Sequence, residues 1–303
     1  TTWSCWGVAQ PVSQPVASAI AGTMPPGRYM YALTFVRSDG FESGTGVAGV
    51  IDLTAIGGLS FSSIEVSTNP EITDKIVYLS SPNGEVLYKV ATIPNAQTSL
   101  AGSTLGGTIP LITQFRDPPP AGTLVRHYSG VNYVVVGDAV FFSDPWGLEL
   151  FCMEDQWLRF PGEVVMIESV NDGFFIATAD TVSDDSESQG GIWFVKGTRP
   201  DKMETVQLYD YGVIPGTEAK TNAAYFDTFA QGEDAGETDK PAVVWATRHG
   251  VMVGLDGGKT RNMTESKYSF PSAQSGAAMV RQARGYNSYL VTLRGTGSFN
   301  NAF

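Results

Sequence analysis

The feature that most constrains this chain is a recurring triplet: a short run of β-branched and aromatic residues, a glycine turn, then a second such run. Residues 133–136 (YVVV), the turn Gly137-Asp138 and residues 139–143 (AVFFS) make one instance. Residues 164–170 (VVMIESV), Asn171-Asp172-Gly173 and residues 174–178 (FFIAT) make another. A third joins 242–247 (AVVWAT) through Arg248-His249-Gly250 to 251–255 (VMVGL), while 191–195 (GIWFV) and 286–293 (YNSYLVTL) add single strands. Short apolar runs bounded by Gly, Asn and Asp read as antiparallel hairpins. No window of helical periodicity longer than about two turns interrupts them. The chain is therefore expected to be all-β, and this stretch to form propeller-like stacked hairpins.

The first third has a different rhythm. Residues 28–36 (RYMYALTFV) alternate, putting Tyr29, Tyr31, Leu33 and Phe35 on one face, and Ser38-Asp39-Gly40 supplies a turn. A second hairpin joins 75–80 (KIVYLS) through Pro82-Asn83-Gly84 to 85–90 (EVLYKV). Several short strands in this space predict a β-sandwich over 25–116. Before it, residues 1–24 hold Pro11 and Pro15 with Trp3 and Trp6, and read as an extended arm that docks on something. After it, residues 117–123 contain Pro118, Pro119 and Pro120 and read as a stiff linker, leaving 124–303 as the hairpin domain.

Charge narrows the partners. Nineteen basic against 31 acidic residues leave −12, which opposes wrapping of nucleic acid, since phosphate binding needs clustered Lys and Arg. An acidic surface suits a soluble protein generally, and would also suit a conduit through which DNA slides without sticking. Cys5 and Cys152 are too few and too far apart for a disulfide framework or a metal pair, which suits assembly in a cytoplasm. No apolar run approaches the roughly 20 residues a membrane helix needs. The acidic stretches 180–190 (DTVSDDSESQG) and 231–240 (QGEDAGETDK) read as solvated loops and lack the spacing of a calcium loop.

Several motifs approach chemistry and stop short. Gly44, Gly46 and Gly49 spell G-x-G-x-x-G, but the Val-Ile-Asp-Leu that follows reads as a strand, whereas a dinucleotide site needs a helix there. Gly258-Lys259-Thr260 resembles the end of a phosphate loop, yet Val253 stands where the first glycine belongs. The two histidines, His127 and His249, accompany no nucleophile elbow and no zinc spacing. Asp144, Glu149, Glu154 and Asp155 lie beside Trp146 and Trp157, so a carboxylate-pair glycosidase is the enzyme reading that remains. The favoured expectation is no enzyme, with no catalytic residues, cofactor or metal. Trp146, Phe151 and Trp157, close together in sequence, either cap the inner core or face another subunit; they join Trp3 and Trp6 as interface candidates, because Trp is enriched at binding hot spots.

Residues 27–35 (GRYMYALTF) running into 38–44 (SDGFESG), together with 135–145 (VVGDAVFFSDP), resemble a family of bacteriophage virion proteins. In that family a fibronectin-like β-domain precedes propeller-like repeats, as in the nozzle and hub proteins of short tails. The resemblance implies a structural tail component that forms a ring with copies of itself around the DNA conduit. It would contact other virion tail proteins and let DNA pass transiently without specific binding, in a virion assembled in the host cytoplasm. The alternative is a tail-tip adhesin that binds a host surface or glycan through Trp146 and Trp157.

Overall fold

The computed structural model describes residues 6–104, 106–182, 188–225, 240–265, 273–283 and 286–295. It is all-β: the described residues form strands, turns and three single-turn 3-10 helices. Residues 183–187 of the acidic stretch at 180–190 and 231–239 of the stretch at 231–240 lie outside the described residues, as does Trp3. Thr181–Val182 pairs with Ser188–Gln189, so the ends of the first stretch are strand and not the solvated loop expected. The chain divides into two compact units, residues 1–119 with 146–156, and residues 120–145 with 157–303.

The first unit contains β1 (Val16–Met24), β2 (Gly27–Arg37), β3 (Gly49–Leu53), β4 (Gly57–Ser62), β5 (Ile72–Ser80), β6 (Leu87–Pro94) and β7 (Leu100–Gly102). They form two antiparallel sheets, β1-β4-β7 and β3-β2-β5-β6. Tyr29, Tyr31 and Leu33 of β2, Leu59 and Phe61 of β4, and Val77 and Leu79 of β5 share one buried core. Burial of each such side chain is worth about 1.5–3 kcal/mol. The opposite faces of β2 and β5 are also covered, with Ala32, Ile76 and Tyr78 packed beneath Leu111. Burial on both faces explains why apolar residues also fill positions between those of the Tyr29–Tyr31–Leu33 face. Lys75 on β5 is fully buried; its Nζ donates to the carbonyls of Glu65 and Gln97, 2.7 Å each.

The segment expected as an arm is different in kind. Residues Val16–Met24 are strand β1, because their small residues lie flat against β4 from Val16 opposite Ser62 to Ile20 opposite Gly58. The preceding residues are fastened to the same unit. The Glu65 carboxylate accepts from the Val12 and Ser13 amides and the Ser13 hydroxyl at 2.6–2.9 Å, and Val8 is buried beside Phe35 and Ile72.

The second unit is a succession of antiparallel meanders. Strands β8 (Leu124–Tyr128), β9 (Val131–Val136) and β10 (Ala139–Asp144) pair in order. Strand β11 (Gly147–Phe151) belongs to the first unit, and β12 (Trp157–Arg159) pairs with β10. Next come β13 (Val164–Ser169) and β14 (Gly173–Thr178), the short β15 (Thr181–Val182) and β16 (Ser188–Gln189), then β17 (Ile192–Lys196) and β18 (Glu204–Tyr209). The sheet order is β13-β14-β17-β18, with β15-β16 apart. Strands β19 (Ala219–Asn222), β20 (Pro241–Thr247), β21 (Gly250–Gly254) and β22 (Thr260–Asn262) form the third sheet, and β23 (Ser275–Ala283) with β24 (Tyr286–Arg294) a hairpin.

These sheets stack through alternate faces. Phe174 and Ile176 of β14 pack with Tyr133 and Val135, while Phe175 and Ala177 of the same strand pack with Val243 and Trp245. Period-two alternation thus lets one strand serve two cores. No closed propeller is seen among the described residues. The recurring triplet instead appears as three sheets, each completed by its own successive strands, plus a hairpin.

Candidate functional site

In the first unit, residues 43–48 run between two other backbone segments, and glycine makes this possible. A Cβ on Gly44 would lie 1.6 Å from the carbonyl oxygen of Arg116, and one on Gly46 would lie 2.1 Å from that of Pro11. The third glycine of the motif, Gly49, sits under the Tyr31 ring and opens β3. The G-x-G-x-x-G spacing therefore serves close packing, and a strand follows where a phosphate cradle would need a helix. The neighbouring Gly-Phe-Glu-Ser stretch is equally structural. Glu42 Oε1 accepts from the hydroxyls of Thr34 and Tyr78, both at 2.6 Å, and Ser43 Oγ accepts from the Phe35 amide.

The three crossing segments leave an open groove of about 580 Å3. Pro11, Val12, Val47, Ala48 and Phe115 give it an apolar lining, and Asp117 and Glu154 contribute carboxylates. Val12, Val47 and Phe115 are 88%, 74% and 73% exposed, so large apolar side chains face water here. Phe115 also holds a left-handed φ of 60°, which costs a non-glycine residue about 1–2 kcal/mol. The turn that imposes it is pinned by the Arg116 amide on the Thr113 carbonyl and by Thr113 Oγ1 on the Ser43 carbonyl, at 3.2 and 2.8 Å. Asp117 is engaged: Oδ1 accepts from Gln10 Nε2, and its amide and carbonyl exchange hydrogen bonds with Phe151. The groove is shaped to take apolar side chains.

The aromatic candidates separate into different roles. Phe151 is fully buried, and Trp6 meets its edge at 6.0 Å with an interplanar angle of 89°. Trp146 is 85% exposed at a turn with φ of 63°. Trp157 lies in the second unit, 41% exposed, opposite Phe141 on β10. Of the acids beside them, Glu149 makes a two-pronged pair with Arg37, 3.0 Å at each contact, and only Glu154 reaches the groove. Arg37 also grips Asp39, whose carboxyl it holds down to about 2.

Sequence reasoning missed a polar cluster in the second unit, on the first strands of its three sheets. Arg126 of β8 donates from Nε and Nη2 to Glu168 of β13 at 2.9 and 2.6 Å. Lys220 of β19 donates to Ser169 at 3.1 Å, and Glu218 lies just before that strand. Burial raises the Glu218 carboxyl above its ordinary range; the Glu168 charge adds to the rise and Arg126 opposes it. Its Oε2 is buried without a hydrogen-bond partner. The three segments that carry these residues lie 42 to 94 positions apart in sequence, so no local pattern announces them. His127 holds Asn132, and the His249 ring packs tilted against Tyr211 at 4.5 Å, outside this cluster.

No family model, curated protein or solved structure matches this chain.

Proposed function

We propose that the chain is a non-enzymatic structural subunit that associates with copies of itself. The observation that carries this reading is the exposed groove of the first unit. Val12, Val47 and Phe115 stay in water although burial would be worth about 25 cal/mol per Å2, and Phe115 is held there in a conformation that costs energy. Exposed apolar surface of this kind marks a contact with another protein.

The setting we propose is a bacteriophage tail, in a ring of nozzle or hub type around the DNA conduit, in contact with other tail proteins. Support comes from the resemblance at 27–44 and 135–145, and from a net charge of −12 that lets DNA pass without binding. In this reading the two-sheet unit is a sandwich and the stacked meanders are an open, propeller-like body.

Mass photometry and negative-stain electron microscopy of the purified full chain test the proposal. Discrete oligomers with a central opening are the expected result. A monomer at all concentrations up to the micromolar range overturns it. Trp146 alone at its turn favours a second reading, a glycan-stacking platform, which a glycan array with a Trp146→Ala control discriminates.

A further inference from the structure

Strand β1 ends its sheet: among the described residues no strand lies beyond it. An edge strand exposes unpaired N–H and C=O groups, and proteins normally protect such an edge with charge, proline or a bulge. From Val16 to Ile20 this edge has none of the three. Its register with β4 is regular over those residues, and the irregularity comes only between Ile20 and Met24.

Charge is missing from the whole sheet. Strands β1 (VASAIAGTM), β4 (GGLSFS) and β7 (LAG) contain no ionisable side chain, and the first charged residue of the chain is Arg28. Alternation puts Val16, Ser18 and Ile20 on one face of β1, where Val16 and Ile20 are exposed, while Ala17 packs on the core. The edge is also held ready. Tyr31 donates to the Pro15 carbonyl at 3.1 Å and Tyr29 to the Pro25 carbonyl at 2.7 Å, which fastens the strand just beyond each end. A pre-ordered strand loses little conformational freedom on binding.

The same features select the occupant. Two copies carrying −12 each repel wherever ordinary surfaces meet, so an uncharged sheet is the place where they can touch. A strand edge laid antiparallel against its own copy is self-complementary about a two-fold axis. We propose that the edge of β1 pairs antiparallel with β1 of a second copy, which continues the sheet across the contact. This rests on the self-association proposed above and assigns it a surface. If a separate head-to-tail contact closes a ring, the two-fold pairing makes the number of chains even.

The test compares wild-type full chain with Ser18→Lys and Ile20→Lys by light scattering after size exclusion, with far-UV circular dichroism and melting temperature as folding controls. Folded lysine variants should dissociate at least about tenfold more readily, since like charges across the seam cost several kcal/mol. Cysteines placed singly at Ala17, Ser18 and Ala19, in a Cys5→Ser and Cys152→Ser background, should give an interchain disulfide from at least one position. This arm puts no charge into the strand. An oligomer whose mass is untouched by either lysine, with no cross-link from any position, overturns the β1 contact and leaves self-association standing. A wild type that is monomeric throughout overturns both. Lysine variants that lose a foreign strand-bearing protein while self-association persists also overturn the two-fold pairing.

Discussion

Replacement of Gly44 by alanine puts the crossing beside the groove to a quantitative test. The new methyl carbon would start 1.6 Å from the Arg116 carbonyl oxygen, whereas ordinary contact begins near 3.4 Å. One backbone must therefore retreat by about 2 Å, and backbone on both sides leaves no side chain to rotate away. Overpacking of this kind costs roughly 1–3 kcal/mol, and the lower chain entropy of alanine in the unfolded state returns about 0.4–1. The net is a loss of about 1–2 kcal/mol, or roughly 4–8 °C in the melting temperature of a unit this size. Gly106→Ala is the control, because a Cβ there meets nothing within 4 Å. Differential scanning calorimetry of the two variants and wild type reads the difference. A Gly44→Ala melting temperature within 1–2 °C of the Gly106→Ala value would refute the packing role (about 0.5 kcal/mol or less). Tight nucleotide binding by the wild type, lost in Gly44→Ala, would restore the reading of the motif as a phosphate loop.

Phe115→Gly relieves the left-handed backbone and should stabilise the isolated chain by about 1 kcal/mol while it weakens self-association; weaker stability with unchanged mass would contradict both halves. Trp245 is fully buried against Phe175 at 5.3 Å, and its Nε1 has no partner. Trp245→Ala should therefore cost about 3–5 kcal/mol, and Trp245→Phe much less because it discards an unpaired N–H; chemical denaturation of both variants checks the order. The folded pKa of Glu218 is raised by burial, so the folded state holds its proton more tightly than the unfolded state. Its carboxylate therefore subtracts stability as pH climbs above the unfolded value of about 4.3. Glu218→Gln should raise the melting temperature at pH 8 and leave it nearly unchanged at pH 3.5. A drop at pH 8 would reverse that sign.

What the sequence revealed follows the range of the interaction that fixes each feature. The hairpins were legible because Gly137, Asn83 and Gly250 adopt the positive φ that their turns need, a property of single residues. The face shared by Tyr29, Tyr31 and Leu33 was legible from alternation, but Phe35 departs to a separate cluster with Val8 and Ile72. That departure depends on where the first residues of the chain dock, which alternation does not encode. The first residues themselves were misread past Val16, since a strand of small residues lacks the bulky β-formers on which strand recognition relies. Of the aromatic candidates, Phe151 became core and Trp6 its neighbour, because local spacing reports that aromatics need cover and is silent on what covers them. The groove and the Arg126–Glu168–Glu218 cluster join distant segments, and only the fold brings these together.

Salt separates the two ways in which an acidic chain can bind its copy. Contacts built on ion pairs weaken as ionic strength rises, because the Debye length shrinks from about 10 Å at 0.1 M to about 3 Å at 1 M. A seam formed by β1 and an apolar groove contains no attraction of that kind, and the only charge effect left is the mutual repulsion of two bodies at −12 each. Screening then removes an obstacle and no bond. Self-association should hold or tighten, by less than about tenfold, between 50 mM and 500 mM sodium chloride, because exposed charges beyond a Debye length are already largely screened. Sedimentation velocity at matched concentrations measures it. A dissociation constant that rises steeply with salt would mean that residues such as Arg37 and Glu149 abandon their pairing within the chain to hold a second copy, and the uncharged sheet would no longer be the place where copies meet.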